Sequence, residues 1–265
     1  MMLNRSFYVK FAKSKPAVFD LSRKVSRLLG FQDNLYKIIS KYASYKEEIT
    51  FIQIGSNDGI SNDPIREFVV GSPRWRGCFV EPLPHLFKKL KQNYNYLSRK
   101  NLNFFNFALS EDGKNIKLFR VKSRFHYEFP NFIDQIASFD REHVLKHICN
   151  SQNPEEKIEE VDVSSSTFCE LVNISGYQEV DLVHIDVEGY EFYLIPFILN
   201  EDKFKPDVVI FESIHMKDSE RVIIDNLFTT KRFKVIDIGA DTIAISKDFN
   251  ADFIDFVENK FYKKS

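Results

Sequence analysis

The rhythm of apolar and polar positions changes after Glu48. Before it, Val18, Leu21, Val25, Leu28 and Leu29 recur near helical spacing behind Pro16, a residue suited to a helix start. Leu35, Ile38, Ile39 and Tyr42 share one face of a second helix expected over Asn34 to Tyr45. After Glu48, short apolar runs alternate with helical patterns. Ile49 to Ile54 reads as a strand that ends in Gly55-Ser56-Asn57-Asp58-Gly59. A helix follows from Asp63 to Val70, opened by an acid and a proline. A strand from Gly77 to Val80 stops at Glu81-Pro82, a helix covers Leu83 to Tyr94, and a third strand runs from Phe104 to Leu109. Strands separated by helices form a parallel sheet covered on both faces.

The rhythm returns later. Asp181 to Asp186 is a strand closed by Val187-Glu188-Gly189, with a helix over Glu191 to Leu199. Pro206 to Glu212 is a strand and Ser219 to Phe228 a helix. Phe233 to Ile238 and Thr242 to Ile245 leave no room for a helix between them, so they form an antiparallel hairpin. The expected class is α/β: a mostly parallel sheet with a terminal antiparallel hairpin and helices on both faces. Between the halves, Ile116 to Val121 is a candidate strand, Lys122 to Pro130 an aromatic loop, Phe132 to Ile148 a helical pattern and Cys149 to Glu156 a polar stretch. This is too long for a minimal crossover and suits a lid or substrate wall. The expected organisation is a helical arm (1–48), a main domain (49–246) with a lid-like insertion at 122–160, and a tail (247–265).

Composition narrows the classes. A chain of 265 residues makes one large domain or two small ones. With 43% hydrophobic and 28% charged residues it is not disordered. A net charge of -1 supplies no global attraction to nucleic acid, so none is expected as a partner. Cys78, Cys149 and Cys169 are too scattered for a disulfide scaffold or zinc cluster, and they suit a reducing compartment. No apolar run is long enough to span a bilayer, and the cytoplasm is the expected location. In the arm, Arg5, Lys10, Lys13, Lys15, Arg23, Lys24 and Arg27 face only Asp20. The favoured reading is a helix packed on the core with its lysines in water. Weak peripheral contact with an anionic membrane is the competing one.

Candidate chemistry clusters at the strand ends. Gly55 and Gly59 permit close backbone approach, and an acid such as Glu81 at the end of the second strand can accept ribose hydroxyls. The loop is neither G-x-G-x-x-G nor a phosphate-binding G-K-[ST] loop, so a nucleoside ligand without a phosphate fits better. The competing reading is a tight turn with Glu81 capping the next helix. In the second half, Asp186, Glu188 and Glu191 follow one strand, and Glu212 and His215 follow the next. Asp186, Glu212 and His215 could also hold a divalent ion, magnesium or manganese by their carboxylate content. Glu188 and Glu191 have a plainer reading as acids at a helix N-terminus. His184 reads as a satisfied core residue. In the insertion, His143 and His147 share a helical face but lack a third ligand, and Arg141 could meet an anionic group.

Four segments resemble the FkbM-type methyltransferases: Ile52-Gln53-Ile54-Gly55-Ser56-Asn57-Asp58-Gly59, Glu81-Pro82-Leu83-Pro84, Asn106-Phe107-Ala108-Leu109-Ser110, and His184-Ile185-Asp186-Val187-Glu188-Gly189-Tyr190-Glu191. Gln135 to His147 resembles an insertion in one branch of that family. His184 stands where many members carry lysine. The resemblance implies a class I, Rossmann-like fold with a seven-stranded sheet and S-adenosylmethionine as cofactor. It implies that Gly55, Asn57 and Gly59, with Ser56 and Asp58 between them, surround the methionine part. Glu81, followed by Pro82, would hold the ribose, Asn106, Ala108 and Leu109 would lie near adenine, and Asp186 near the methyl group. Asp186, Glu188, Glu212 and His215 are the candidate catalytic residues. The implied activity is O-methylation of a hydroxyl on a sugar, glycan or small metabolite. The alternatives are an NAD-dependent oxidoreductase and a non-catalytic nucleoside-binding protein.

Overall fold

The computed structural model describes residues 16–17, 20–21, 34–130, 132–177, 179–201 and 204–261. Helix α1 (Asn34–Ala43) buries Ile38, Ile39 and Tyr42 and leads to β1 (Ile49–Ile54), of which every residue is buried. That burial follows from its central place. It pairs in parallel with β2 (Trp75–Val80) on one side and with β9 (Leu182–Ile185) on the other. Between β1 and β2 lies α2 (Arg66–Gly71), and α3 (Pro84–Asn95) leads from β2 to β3 (Leu102–Phe105). After the insertion come α5 (Phe168–Ser175), β9, α6 (Glu191–Leu199), β10 (Val208–Glu212), α7 (Asp218–Thr230), β11 (Phe233–Asp237), β12 (Asp241–Ser246) and α8 (Ala251–Phe261).

The seven strands are ordered β11-β12-β10-β9-β1-β2-β3, with β12 antiparallel to both neighbours. This is the mostly parallel sheet with a terminal hairpin expected from the sequence. Successive side chains of a strand point to opposite faces. Ile52, Ile54, Val183, Ile185, Val209 and Phe211 pack into one core, and Phe51, Phe79, Leu182, Ile210, Ile243 and Ile245 into the other. Strand order reverses between β1 and β9, which opens a crevice at their carboxyl ends.

Three elements differ from the sequence expectation. The strand expected over Phe104 to Leu109 is two: β3 stops at Phe105, and β4 (Ala108–Leu109) pairs with β8 (Ser165–Ser166). Asn106 turns the chain between them, its amide donating to the carbonyls of Glu81 (2.8 Å) and Pro82 (3.0 Å). The insertion is a three-stranded antiparallel sheet of β6 (Ala137–Ser138), β5 (Ile116–Val121) and β7 (Ile158–Val163). Helical spacing over Phe132 to Ile148 becomes helix only in α4 (Arg141–Ile148), where the Asp140 carboxylate caps the first turn through the Glu142 N–H (2.9 Å). Pairing of Ala137 and Ser138 with Arg120 and Phe119 takes the preceding residues out of the helix. The expected tail contains α8, whose Phe253 and Val257 are buried, with the Phe253 ring 5.7 Å from that of Tyr42.

Most of the basic arm, and with it the reading of a membrane-facing helix, lies outside the described residues. Asp20 is described: both its oxygens accept from the Arg66 guanidinium, Nε and Nη2, at 2.8 Å. No helix among the described residues is long and apolar enough to cross a membrane.

Candidate active site

At the end of β1 the chain turns at Gly55 with a φ of +78°, and a Cβ there would lie 1.6 Å from the carbonyl oxygen of Asp186. Only glycine permits that contact between two strand ends. The N–H groups of Gly55 and Ser56 both donate to the Val80 carbonyl at 3.0 Å, and the Asp186 N–H donates to the Ile54 carbonyl at 3.0 Å. The ends of β1, β2 and β9 are thereby tied into one edge.

The loop residues divide into two groups. Ser56 turns inward, its hydroxyl donating to the Gln53 carbonyl (3.0 Å) and accepting from the Val80 N–H (3.2 Å). Asp58 is fully buried and accepts from the N–H groups of Ile60 and Ser61, the Ser61 hydroxyl and the Gln135 amide. Gly59, at a φ of +70°, packs against Leu90 and Tyr94. Asp58, Gly59 and Asn106 fasten the loops and do not line the cleft, whereas Ser56 lines a hollow that adjoins it. Gly55, Asn57, Glu81, Pro82, Ala108, Leu109, Asp186 and Glu188 do line it. The cleft measures about 660 Å³ with its open mouth. Phe139 from the insertion and Tyr190 form part of its wall, their rings stacked with centroids 3.9 Å apart.

Glu81 lies in the cleft wall, 4% exposed. Its carboxylate accepts from the Asn57 N–H (2.8 Å) and the Leu83 N–H (2.9 Å). Burial nevertheless pushes its pKa up to about 7, with Asp58 adding to the rise. Each oxygen keeps acceptor capacity for a ligand hydroxyl. Asp186, just past β9, is held well above the usual carboxylate range by burial and by the carboxylates of Glu188, Glu212, Asp241 and Glu81. None of the described residues lining the cleft is Lys or Arg. Carboxylates buried without a cation of their own favour a positively charged ligand.

An adjoining hollow is lined by Gln53, Asn57, His184, Asp186 and Glu188, among others. Gln53 and His184 are register partners on β1 and β9, 2% and 5% exposed. Gln53 Oε1 and His184 Nδ1 have no hydrogen-bond partner, and burial alone holds His184 down to about 4, hence neutral near pH 7. His184 is therefore buried but not satisfied, unlike the sequence reading. The signal for this pair was a glutamine near the end of a mostly apolar strand.

The acceptor side is built from β9, β10 and the insertion. Glu191 braces the loop after β9, accepting from the N–H groups of Val187 (2.8 Å) and Gly189 (3.0 Å). Glu188 has a φ of +53°, a costly conformation for a non-glycine residue. Its carbonyl accepts from the Ser138 hydroxyl at 2.7 Å, and its Oε2 lies 3.0 Å from His143 Nε2. Burial, then Glu188, Glu191 and Asp241, push Glu212 up to about 8. Its buried Oε2 makes no hydrogen bond and stands 3.4 Å from His215 Nε2. His215 is lowered from its ordinary value, chiefly by burial and then by His143. Arg141 pairs instead with Glu155, and His126 with the Val121 carbonyl.

These features fit S-adenosylmethionine. The carboxylates match its sulfonium and ammonium charges, Glu81 can accept ribose hydroxyls, and the hollow offers two unpaired polar atoms. Among solved structures, the fold is similar to a putative caffeoyl-CoA O-methyltransferase from Staphylococcus aureus (10% identity, TM-score 0.45, covering 92% of this chain and 100% of that one). It is also similar to precorrin-6y C5,15-methyltransferase from Geobacter metallireducens GS-15 (8% identity, TM-score 0.38, covering 76% and 81%). Likenesses this distant carry nothing about the acceptor. No curated protein matches the chain. The family described as the methyltransferase FkbM domain matches residues 53–258, from within β1 to α8. With that match and the sheet order, the chain belongs to the FkbM family of S-adenosylmethionine-dependent methyltransferases.

Proposed function

We propose that the chain transfers a methyl group to a hydroxyl oxygen of a sugar, glycan or small metabolite. The observation that carries this reading is that Glu81 and Asp186 line one cleft at a single sheet edge while Glu212, within 4.8 Å of Asp186, leaves Oε2 without a hydrogen bond. When bound, S-adenosylmethionine supplies an electrophilic methyl group on sulfur. Glu81 would hold the ribose hydroxyls, and Ala108 and Leu109 would give an apolar seat to the base. Gln53 Oε1 would accept from the ammonium group, and the Asp186 carboxylate would complement the sulfonium charge. Glu212 accepts the proton of the acceptor hydroxyl. A carboxylate with a pKa of about 8 is matched to that task near neutral pH. Phe139 and Tyr190 limit access of water from the insertion side.

The test is a methyl-transfer assay against a panel of sugars, glycolipids and small hydroxylated metabolites, with RNA and protein acceptors as comparators. Transfer to a hydroxyl in the first group is the expected result. Transfer confined to a nitrogen or to RNA overturns the acceptor assignment. Binding of NADH without binding of S-adenosylmethionine overturns the whole reading.

A further inference from the structure

We infer that His143, Glu188 and His215 form a binding site for one first-row divalent transition-metal ion at the acceptor mouth of the cleft. This deepens the proposed function and rests on it for the metal's role, though not for its binding. The three side chains come from α4, the loop after β9 and the loop after β10, and they offer three ligand atoms all within 4.8 Å of one another. His143 Nε2 is 3.0 Å from Glu188 Oε2, and the two imidazoles meet edge to face with centroids 4.6 Å apart. Donors about 2.0–2.1 Å from a tetrahedral ion stand roughly 3.4 Å from one another. The donor spacings here, from 3.0 Å to at most 4.8 Å, bracket that value.

The donor chemistry selects the ion. Two imidazoles and one carboxylate suit a transition metal, whereas magnesium and calcium take oxygen donors. This differs from the Asp186, Glu212 and His215 set that the sequence suggested. Asp186, Glu191 and Glu212 also lie within 4.8 Å of one another, but Glu191 is engaged by two backbone N–H groups. Glu212 takes a different part here. Its unpaired Oε2, 3.4 Å from His215 Nε2, is a carboxylate beside a ligand imidazole, an arrangement that orients the ring. Three protein ligands leave coordination positions open, and Glu188 also lines the cleft. Through Glu188 the triad adjoins the cleft, so an oxygen donor of the acceptor would be able to take an open position.

The experiment titrates the tag-free full chain with CoCl2, read by the visible ligand-field absorption of bound Co2+ and by calorimetry. A parallel calorimetric titration uses S-adenosylmethionine. One Co2+ per chain is expected. His215→Ala, a change at a partly exposed position, and Glu188→Gln should each weaken Co2+ binding at least about tenfold. His126→Ala, outside the triad and hydrogen-bonded to the Val121 carbonyl, should bind as the wild type. Absent Co2+ absorption at millimolar CoCl2, or unchanged affinity in both variants, overturns the site. Co2+ binding lost with S-adenosylmethionine binding intact removes the metal site alone. The opposite result keeps the site and removes the methyltransferase reading.

Discussion

The β1–β2 side of the cleft and the β9–β10 side both carry buried acids, and apart from Glu191, which two backbone N–H groups hold, they treat them in opposite ways. On the first side, Asp58 accepts from two backbone N–H groups, a hydroxyl and an amide. Asp63 accepts from the N–H groups of Ile65 and Arg66, and Glu81 from those of Asn57 and Leu83. On the second side, Asp186 is surrounded by four carboxylates, and Glu212 leaves one oxygen unpaired. Satisfied acids shape a loop, and their removal unpairs backbone donors. Unsatisfied acids add little to the fold and are available for chemistry. Substitutions on the first side should therefore act on stability and cofactor affinity, and those on the second on turnover.

The largest effect is expected at Asp186. Asp186→Asn should lower kcat by about two to four orders of magnitude while thermal unfolding stays near wild type. Wild-type turnover in that variant removes Asp186 from the mechanism. On the first side, Arg66→Ala should destabilise the chain by about 3–5 kcal/mol in a denaturant titration, because it strands the Asp20 carboxylate and frees the Gly59 carbonyl. Near-native stability would show the arm contact to be dispensable. Glu81→Gln should raise the Kd for S-adenosylmethionine about tenfold to a hundredfold, from the loss of about 1.5–3 kcal/mol in charge-assisted hydrogen bonds.

Glu212→Gln removes the proposed base, so its kcat loss should be comparable to that at Asp186. The smaller, separable effect is on pH dependence, where wild-type kcat should rise with pH through about 8 and the variant should lack that rise. Stability should carry the opposite sign. The folded pKa of Glu212 lies above its ordinary value of 4.5, so its contribution is present below about 4.5 and lost as pH rises through about 8. Melting curves across that window should fall less steeply in Glu212→Gln. Equal slopes would contradict the raised pKa of Glu212.

Particular residues show what the sequence made legible. The strands β1, β2, β9 and β10 were readable because both sheet faces are covered, so their apolar runs are nearly unbroken. Their ends were readable because Gly55, Glu81, Asp186 and Glu212 each interrupt such a run. Side-chain direction inside the loop was not readable. Ser56, Asp58 and Gly59 belong to the same motif as Gly55 and Asn57, yet they point into the protein. The insertion misled for a different reason: apolar residues from a 3-10 turn, β6 and α4 together mimic one helical period. Contacts distant in sequence were invisible, above all the meeting of His143 with Glu188 and His215.

One cleft would hold the cofactor by Glu81, with Asp186 beside its charge. Calorimetric titration of S-adenosylmethionine into the wild type, Glu81→Gln and Asp186→Asn tests it most directly. The wild type should show one site, Glu81→Gln at least about tenfold weaker binding, and Asp186→Asn a retained site. No heat at millimolar cofactor in the wild type, or equal affinity in Glu81→Gln, would contradict it.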